Sequence, residues 1–360
     1  MKKSFLFFLV IISASVAVLA RLKFNGLVYG FDFGIYHPDG VDYSYKTLEF
    51  MGEDPSQIAT QVSAWYSENS LKMAGITPQD VAQGQLTFPQ SRILYPLLSA
   101  PFVKLMGLPG MLVIPVISFF VLQFSILTLG VKLKKLGLAA SIALVISMSP
   151  TVLRWMISDC ADSLFVALIS LLPILLTVKN LAVQRILMIL LVIAATFTRF
   201  SLPIFLAIAI VLLLKRKFLL AGLILVTSLV ANIPALTQSS SMLLPQSDLS
   251  FLNKLISLPV SALKVGFIEV AELAVLDRLL LSVLILSFVL AAKNYKTDSS
   301  MYFFAVLLSV WALGAVNGTL GVNFRYQLPL VIFCCWVLME NSPKFSLISS
   351  VHIESKEAQK

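Results

Sequence analysis

Five short stretches of this 360-residue chain hold residues that can do chemistry. The first is Gly30-Phe-Asp-Phe-Gly-Ile-Tyr-His-Pro-Asp-Gly-Val-Asp-Tyr43. Pro38-Asp39-Gly40 is a turn signal, and a turn there would hold Asp39 at a fixed bend with Asp42 three residues on. A carboxylate so held can take the proton of a hydroxyl substrate as a general base. The plainer reading makes Asp32, Asp39 and Asp42 ordinary solvated loop acids.

The second stretch, Arg154-Trp-Met-Ile-Ser-Asp-Cys-Ala-Asp162, puts Asp159 and Asp162 three apart ahead of an apolar run. That spacing sets both on one helix face. Ser158 or Asp159 can serve as an N-cap. Third, Thr198-Arg199 divides an apolar run whose two ends carry like charge, so the chain must turn there. A guanidinium at that turn suits a phosphate, and snorkelling to lipid headgroups is the alternative. The fourth stretch is Gly321-Val-Asn-Phe-Arg325-Tyr326-Gln-Leu-Pro329, where Arg325 offers a second phosphate ligand. The fifth is Arg92 with Tyr95, ahead of Pro96. An anchoring Arg beside an interfacial Tyr accounts for both of these without function.

The elements that must carry these residues follow from composition. Hydrophobic residues make up 58% of the chain and charged residues 12%, with a mean hydropathy of +0.93. A water-soluble domain carries about 25% charged residues, so too few polar groups remain to cover a soluble core. The expected fold class is an all-α polytopic membrane protein. Apolar runs at 110–131, 137–157, 162–178, 185–198, 200–214, 218–236, 279–292, 301–317 and 327–340, with a first helix over 4–20, predict about ten transmembrane helices. Residues 95–106 are interrupted by Pro96, Pro101 and Lys104 and read as an interfacial or re-entrant piece. Lys2 and Lys3 ahead of the first apolar run fit a retained helix, or a signal cleaved after Val18-Leu19-Ala20.

Charge sets the expected orientation. Fifteen of the 27 basic residues, and only Asp298, Glu340, Glu354 and Glu357 among the 18 acids, fall on one side of these spans. That side is cytoplasmic by the positive-inside rule. The other side holds a large first loop at 24–92, with eight acids, and a second long loop at 237–277 whose apolar stretch suits a helix lying in the interface. The expected organisation is one transmembrane domain over 1–340 and a short cytoplasmic tail over 341–360. The net charge of +9 reads as topology and not as a nucleic-acid surface. Two histidines, His37 and His352, exclude a His-rich metal site. Cys160, Cys334 and Cys335 form no CxxC pair. No repeat or nucleotide-binding signature is present.

This arrangement resembles the GT-C superfamily of integral-membrane glycosyltransferases. The resemblance rests on Asp39-Gly40-Val-Asp42-Tyr43, Arg92-Ile-Leu-Tyr-Pro-Leu-Leu98, Ser158-Asp159-Cys-Ala-Asp162-Ser-Leu-Phe165, Thr198-Arg199 and Phe324-Arg325-Tyr326, in that order along most of the chain. It implies sugar transfer from a polyprenyl-phosphate donor to a lipid, glycan or protein acceptor at the outer face of a membrane. Asp39 would be the base of an inverting displacement, with Asp42 the second choice. Arg199 and Arg325 would hold the leaving phosphate, and Arg92, Tyr95, Asp159, Asp162 and Tyr326 would line the substrate. No cofactor is indicated; a divalent cation is left open. The implied location is the bacterial plasma membrane, although a lumenal face would look alike in sequence. A lipid or sugar-lipid transporter and a non-catalytic membrane subunit are the competing classes.

Overall fold

The computed structural model describes residues 3–24, 34–70, 73, 75–84, 92–238, 251–317 and 324–342. Asp32, residues 239–250 of the second long loop and the tail beyond 342 lie outside them. Every described element is helical, as the composition requires.

The chain starts with α1 (Lys3–Phe24) and then departs from expectation. The polar first loop is folded into α2 (Pro38–Phe50), α3 (Pro55–Asn69) and α4 (Pro78–Gly84). Each opens on a Pro, whose missing N–H is no loss in a first turn. Asp54 caps α3 through the Ser56 N–H. Thr77 and Asp80 form a reciprocal capping box on α4, with bonds of 3.2 and 2.8 Å. The low hydropathy of this region concealed a helical spacing. Val41, Tyr45 and Leu48, and then Ile58, Val62 and Tyr66, are buried together with Ile35 and Tyr95 in a small core of their own.

The apolar runs map onto the remaining helices in order: α5 (Leu94–Met106), α6 (Val113–Lys132), α7 (Leu136–Met148), α8 (Pro150–Met156), α9 (Asp162–Ser170), α10 (Leu172–Leu176), α11 (Leu181–Thr198), α12 (Leu202–Leu214), α13 (Phe218–Gln238), α14 (Phe251–Leu276), α15 (Arg278–Lys293), α16 (Asp298–Asn317) and α17 (Leu330–Asn341). The expected continuous run at 137–157 is corrected: α7 and α8 are bent by 74° at Ser149. Pro150 cannot donate to the preceding turn, and the Ser149 hydroxyl instead caps α8 through Val152 N. The run at 162–178 is likewise parted, into α9 and α10 ahead of Pro173.

Length sets the crossings apart from the other helices. Among the described residues three helices, Lys3–Lys23, Leu108–Lys132 and Leu181–Thr198, are long and apolar enough to cross a membrane, or four if the bent α7–α8 pair is one span. Of the other apolar helices, α5 and α12 have 13 residues and α17 has 12, short of the roughly 20 that an upright crossing needs, whereas α13 has 21. α17 sits at the centre of the bundle, with Leu330 through Met339 all buried. A helix apolar on all sides belongs there. α6 and α7 meet at backbone distance, because a Cβ on Gly130 would lie 2.2 Å from the Ala139 Cβ.

The two ends of the bundle are polar in different ways. At one end Lys132 bonds the Ile174 carbonyl and Thr177, Lys135 bonds the Ser342 carbonyl, Lys215 pairs with Asp298, and Glu340 accepts from Ser299 N. Elsewhere Asp277 joins two helix starts. Its carboxylate accepts from Ser149 Oγ and Thr151 N (3.1 Å) at α8, and from Leu280 N (3.0 Å) at α15. Asp277→Ala removes the α15 cap together with the contacts to Ser149 and Thr151 at α8, and should lower unfolding stability by about 2 kcal/mol. Thermal unfolding in detergent checks this: Asp277→Asn should lose less, and an unshifted Ala variant would show that these contacts contribute nothing.

Candidate active site

Helix termini place the charges. Asp39 lies in the first turn of α2 and Asp162 in the first turn of α9, where the helix dipole favours an anion. Arg199 is the extended C-terminal cap of α11. Arg325 lies in the turn ahead of α17, next to Phe324, which holds the left-handed φ of +65°. That conformation costs a bulky side chain about 1–2 kcal/mol, and the buried packing of Phe324 sustains it.

Four segments far apart in sequence thus converge. Arg325 donates to Asp39 through Nη2, and to Asp162 Oδ2 through Nε (3.0 Å) and Nη2 (2.7 Å). Arg199 pairs with the other oxygen of Asp162. Two carboxylates and two guanidiniums make a cluster with no net charge. The guanidiniums are braced by aromatic faces: Arg199 lies 4.6 Å from the Tyr326 ring centroid and Arg325 lies 4.9 Å from that of Trp155. Arg154 covers Trp155 at 5.2 Å, and the His37 ring meets the same indole edge-on.

Exposure separates the two acids. Asp162 keeps 3% of its side chain exposed and Asp39 keeps 23%. Asp39 is therefore the carboxylate of the cluster that a ligand can reach. Burial by itself would raise the Asp39 pKa. The neighbouring Arg325, His37 and Arg199, with the Arg325 hydrogen bond, outweigh it and hold the group below its ordinary value. Asp39 is ionised at neutral pH. His37 is pushed down to about 4 by burial and by Arg325, so its ring is neutral. Its Nδ1 accepts the Asp39 N–H at 3.1 Å and caps α2. The 3.6 Å approach to the Asp39 carboxylate is accordingly not an ion pair.

The other expected residues divide. Tyr326 lies in the cluster under Arg199. Arg92 is half-buried near it and contributes to the field at Tyr43 and Arg199. Asp42, on α2, is buried and its charge acts on Lys46. Tyr95 is fully buried and donates to the Met111 carbonyl at 2.8 Å, which makes it a packing residue. Asp159, expected to line the substrate, is also fully buried, and its oxygens are taken up by His37 N (2.6 Å) and the Tyr66 hydroxyl. The i, i+3 spacing of Asp159 and Asp162 does not put them on one face, because α9 begins only at Asp162. His37, Tyr66 and Trp155 were not assigned a role in this site by sequence, and Gly40 entered only as a turn residue. The local signal in the sequence was the Pro38-Asp39-Gly40 turn. Among the described residues no group of three His, Cys, Asp or Glu side chains is placed to hold a metal.

The arrangement can take up a proton at Asp39 and present two guanidiniums to an anion, each at present neutralised by a carboxylate. No protein-family model matches this chain, no curated protein matches it, and no solved structure matches it.

Proposed function

We propose that the protein is a membrane glycosyltransferase that moves a sugar from a polyprenyl-phosphate donor to a hydroxyl acceptor, with Asp39 as general base. One observation carries the reading: Asp39, Asp162, Arg199 and Arg325 meet in one neutral cluster in which Asp39 is the accessible carboxylate. A donor phosphate competes with Asp39 for Arg325, since both are anions that fit the same planar donor fork. When phosphate takes Arg325, Asp39 is released to face the acceptor. The acceptor hydroxyl then gives its proton to Asp39 while its oxygen bonds to the anomeric carbon. The bond from that carbon to the phosphate oxygen breaks on the opposite face, and polyprenyl phosphate leaves with the electron pair. Arg199 and Arg325 offset the developing charge. Asp162 stays as the fixed partner that keeps both guanidiniums aligned when substrate is absent.

In this reading the shorter apolar helices complete a GT-C-like bundle of about ten segments, with the cluster on the extracytoplasmic side of the plasma membrane. The charge asymmetry along the chain supports that orientation. Ser70, in the first loop, is too buried to report it, whereas Gln61 on α3 is exposed. Cys160, Cys334 and Cys335 are buried and leave little background. A Gln61→Cys variant should react with an impermeant maleimide in intact cells. Reaction only after permeabilisation would reverse the orientation.

The reaction is tested by glycolipid and glycan analysis of cells lacking the protein. An acceptor short of one sugar should accumulate beside unused polyprenyl-phosphate sugar. Unchanged profiles in both pools would contradict the reading.

A further inference from the structure

We propose that Asp159 is a positioning residue: through His37 it fixes where α2 begins, and so where Asp39 stands relative to Arg325. The inference rests on the reading of Asp39 as the base. The segment 157–161 and the segment before α2 are tied by two opposed bonds. Asp159 N donates to the Ile35 carbonyl at 3.1 Å, and His37 N donates to Asp159 Oδ1 at 2.6 Å. His37 then passes the constraint on, since its ring nitrogen accepts the Asp39 N–H and its carbonyl accepts Gly40 N at 2.8 Å.

The second Asp159 oxygen takes the Tyr66 hydroxyl, which also meets Ser44 Oγ at 3.0 Å. One carboxylate therefore binds α3 and the loop before α2, and through the Tyr66 hydroxyl it reaches α2 itself. Gly40 shows how tightly α2 sits on it. A Cβ there would lie 2.1 Å from Asp159 Oδ2 and 2.5 Å from the Tyr66 hydroxyl. Three residues after Asp159, the same segment carries Asp162, which grips Arg199 and Arg325. The segment thus sets both halves of the site: the guanidiniums through Asp162 and the base through Asp159. A fully buried carboxylate with such partners has no route to a substrate, which makes its action indirect.

The test combines a stability cycle with kinetics on purified protein in detergent. Asp39→Ala, Asp159→Ala and the double variant are melted. If Asp159 holds Asp39 against Arg325, the midpoint shift caused by Asp39→Ala should fall to less than half in the Asp159→Ala background. Additive shifts would overturn the proposal, whatever reaction the protein performs. In transfer of a polyprenyl-phosphate sugar, Asp159→Ala should lower kcat by about 10²-fold, as expected of a base misplaced by about 1 Å. The donor KM should not rise, and the acid limb of the rate profile should move to higher pH as Asp39 loses Arg325. Asp159→Asn, whose amide can accept from His37 and donate to Tyr66, should recover most of the rate. Gly40→Ala should behave like Asp159→Ala, and Tyr66→Phe should shift the limb by less.

An unmoved acid limb with kcat falling only as the folded fraction falls would overturn the proposal. So would an Asp159→Asn variant as inactive as Asp39→Asn, because Asp159 would then be the proton acceptor. Wild-type turnover in Asp39→Asn would instead defeat the reading of the base. Should Asp159→Ala fail to fold, the Tyr66→Phe limb and its melting cycle with Asp39→Ala carry the same test.

Discussion

Replacing Asp39 by Asn should lower sugar transfer by about 10²–10⁴-fold, the usual effect of removing a general base, while the protein still folds and still takes up donor. The side chain keeps its size, and its amide oxygen can still accept from Arg325. Asp162 retains Arg325 through two bonds and Arg199 through a third contact. What disappears is the proton acceptor and one negative charge. The second loss has its own signature. With Asp39 neutral the cluster carries one net positive charge, so an incoming phosphate has a weaker competitor for Arg325. Donor affinity should stay equal or rise even as turnover collapses. A residue that simply bound donor would show the opposite pattern.

The pH dependence follows from the same contacts. Arg325, His37 and Arg199 overcome burial and hold Asp39 below the ordinary carboxylate value. The base is then fully ionised from mildly acidic pH upward. The acid limb of kcat/KM in the wild type should therefore lie below the ordinary carboxylate range. Linkage has the matching sign. A carboxylate with a depressed folded pKa adds stability above its unfolded value, and that stability is lost as pH falls through the folded one. Initial rates across pH, with the folded fraction measured in parallel, separate the two effects.

Replacing Asp162 by Ala should be the most destabilising change at this site, by about 3–5 kcal/mol. Both guanidiniums are mostly buried, at 12% exposed for Arg199 and 11% for Arg325. Asp162 is the carboxylate they share. Without it Arg199 loses that partner, and Arg325 keeps only the more exposed Asp39. Uncompensated buried charge costs more than the intact pair contributes, so the loss should far exceed that of a surface ion pair, which is about 0–1 kcal/mol. Asp162→Asn keeps an acceptor and should fall between. Unfolding in detergent checks this; a wild-type midpoint for Asp162→Ala would mean the arginines find other partners, and the cluster would cease to be a built unit.

Apolar periodicity carried most of the bundle, since burial in a bilayer or in a core demands long apolar runs and nothing else produces them. The runs at 185–198, 200–214 and 327–340 lie on α11, α12 and α17 within a few residues. Breaks were less legible. Ser149-Pro150 reads as a minor interruption of an apolar run, yet the hydroxyl cap and the missing N–H together turn the chain by 74°. The helices within the first loop were not legible because they are polar outside and bury only one narrow face, which lowers the average hydropathy that marks a helix. Pro38-Asp39-Gly40 signalled a change of direction, and the change is the start of α2, with Pro38 in its first turn and His37 as its cap.

The candidate site was legible as a set of residue types and not as a geometry. Sequence spacing pointed to Asp39, Arg199 and Arg325, which come together. It treated Asp159 and Asp162 alike, whereas one lies behind the site and the other is its centre. Three residues of separation cannot distinguish them, because the backbone between them is irregular and α9 begins only at the second. Nor could spacing show that the two arginines are already neutralised by carboxylates. That follows only from placing four segments together, and it changes the expected role of Arg325 from a waiting anion site to one that exchanges partners.

The most direct test is the fate of a polyprenyl-phosphate sugar, labelled in the sugar, given to the purified protein with a membrane-lipid and glycan acceptor extract. The wild type should release polyprenyl phosphate and move label to the acceptor in equal amounts, and Asp39→Asn should do neither above background while binding the donor as well as the wild type. Release or transfer by Asp39→Asn at the wild-type rate, or an intact donor in the presence of the wild-type protein and every acceptor fraction, would contradict the account.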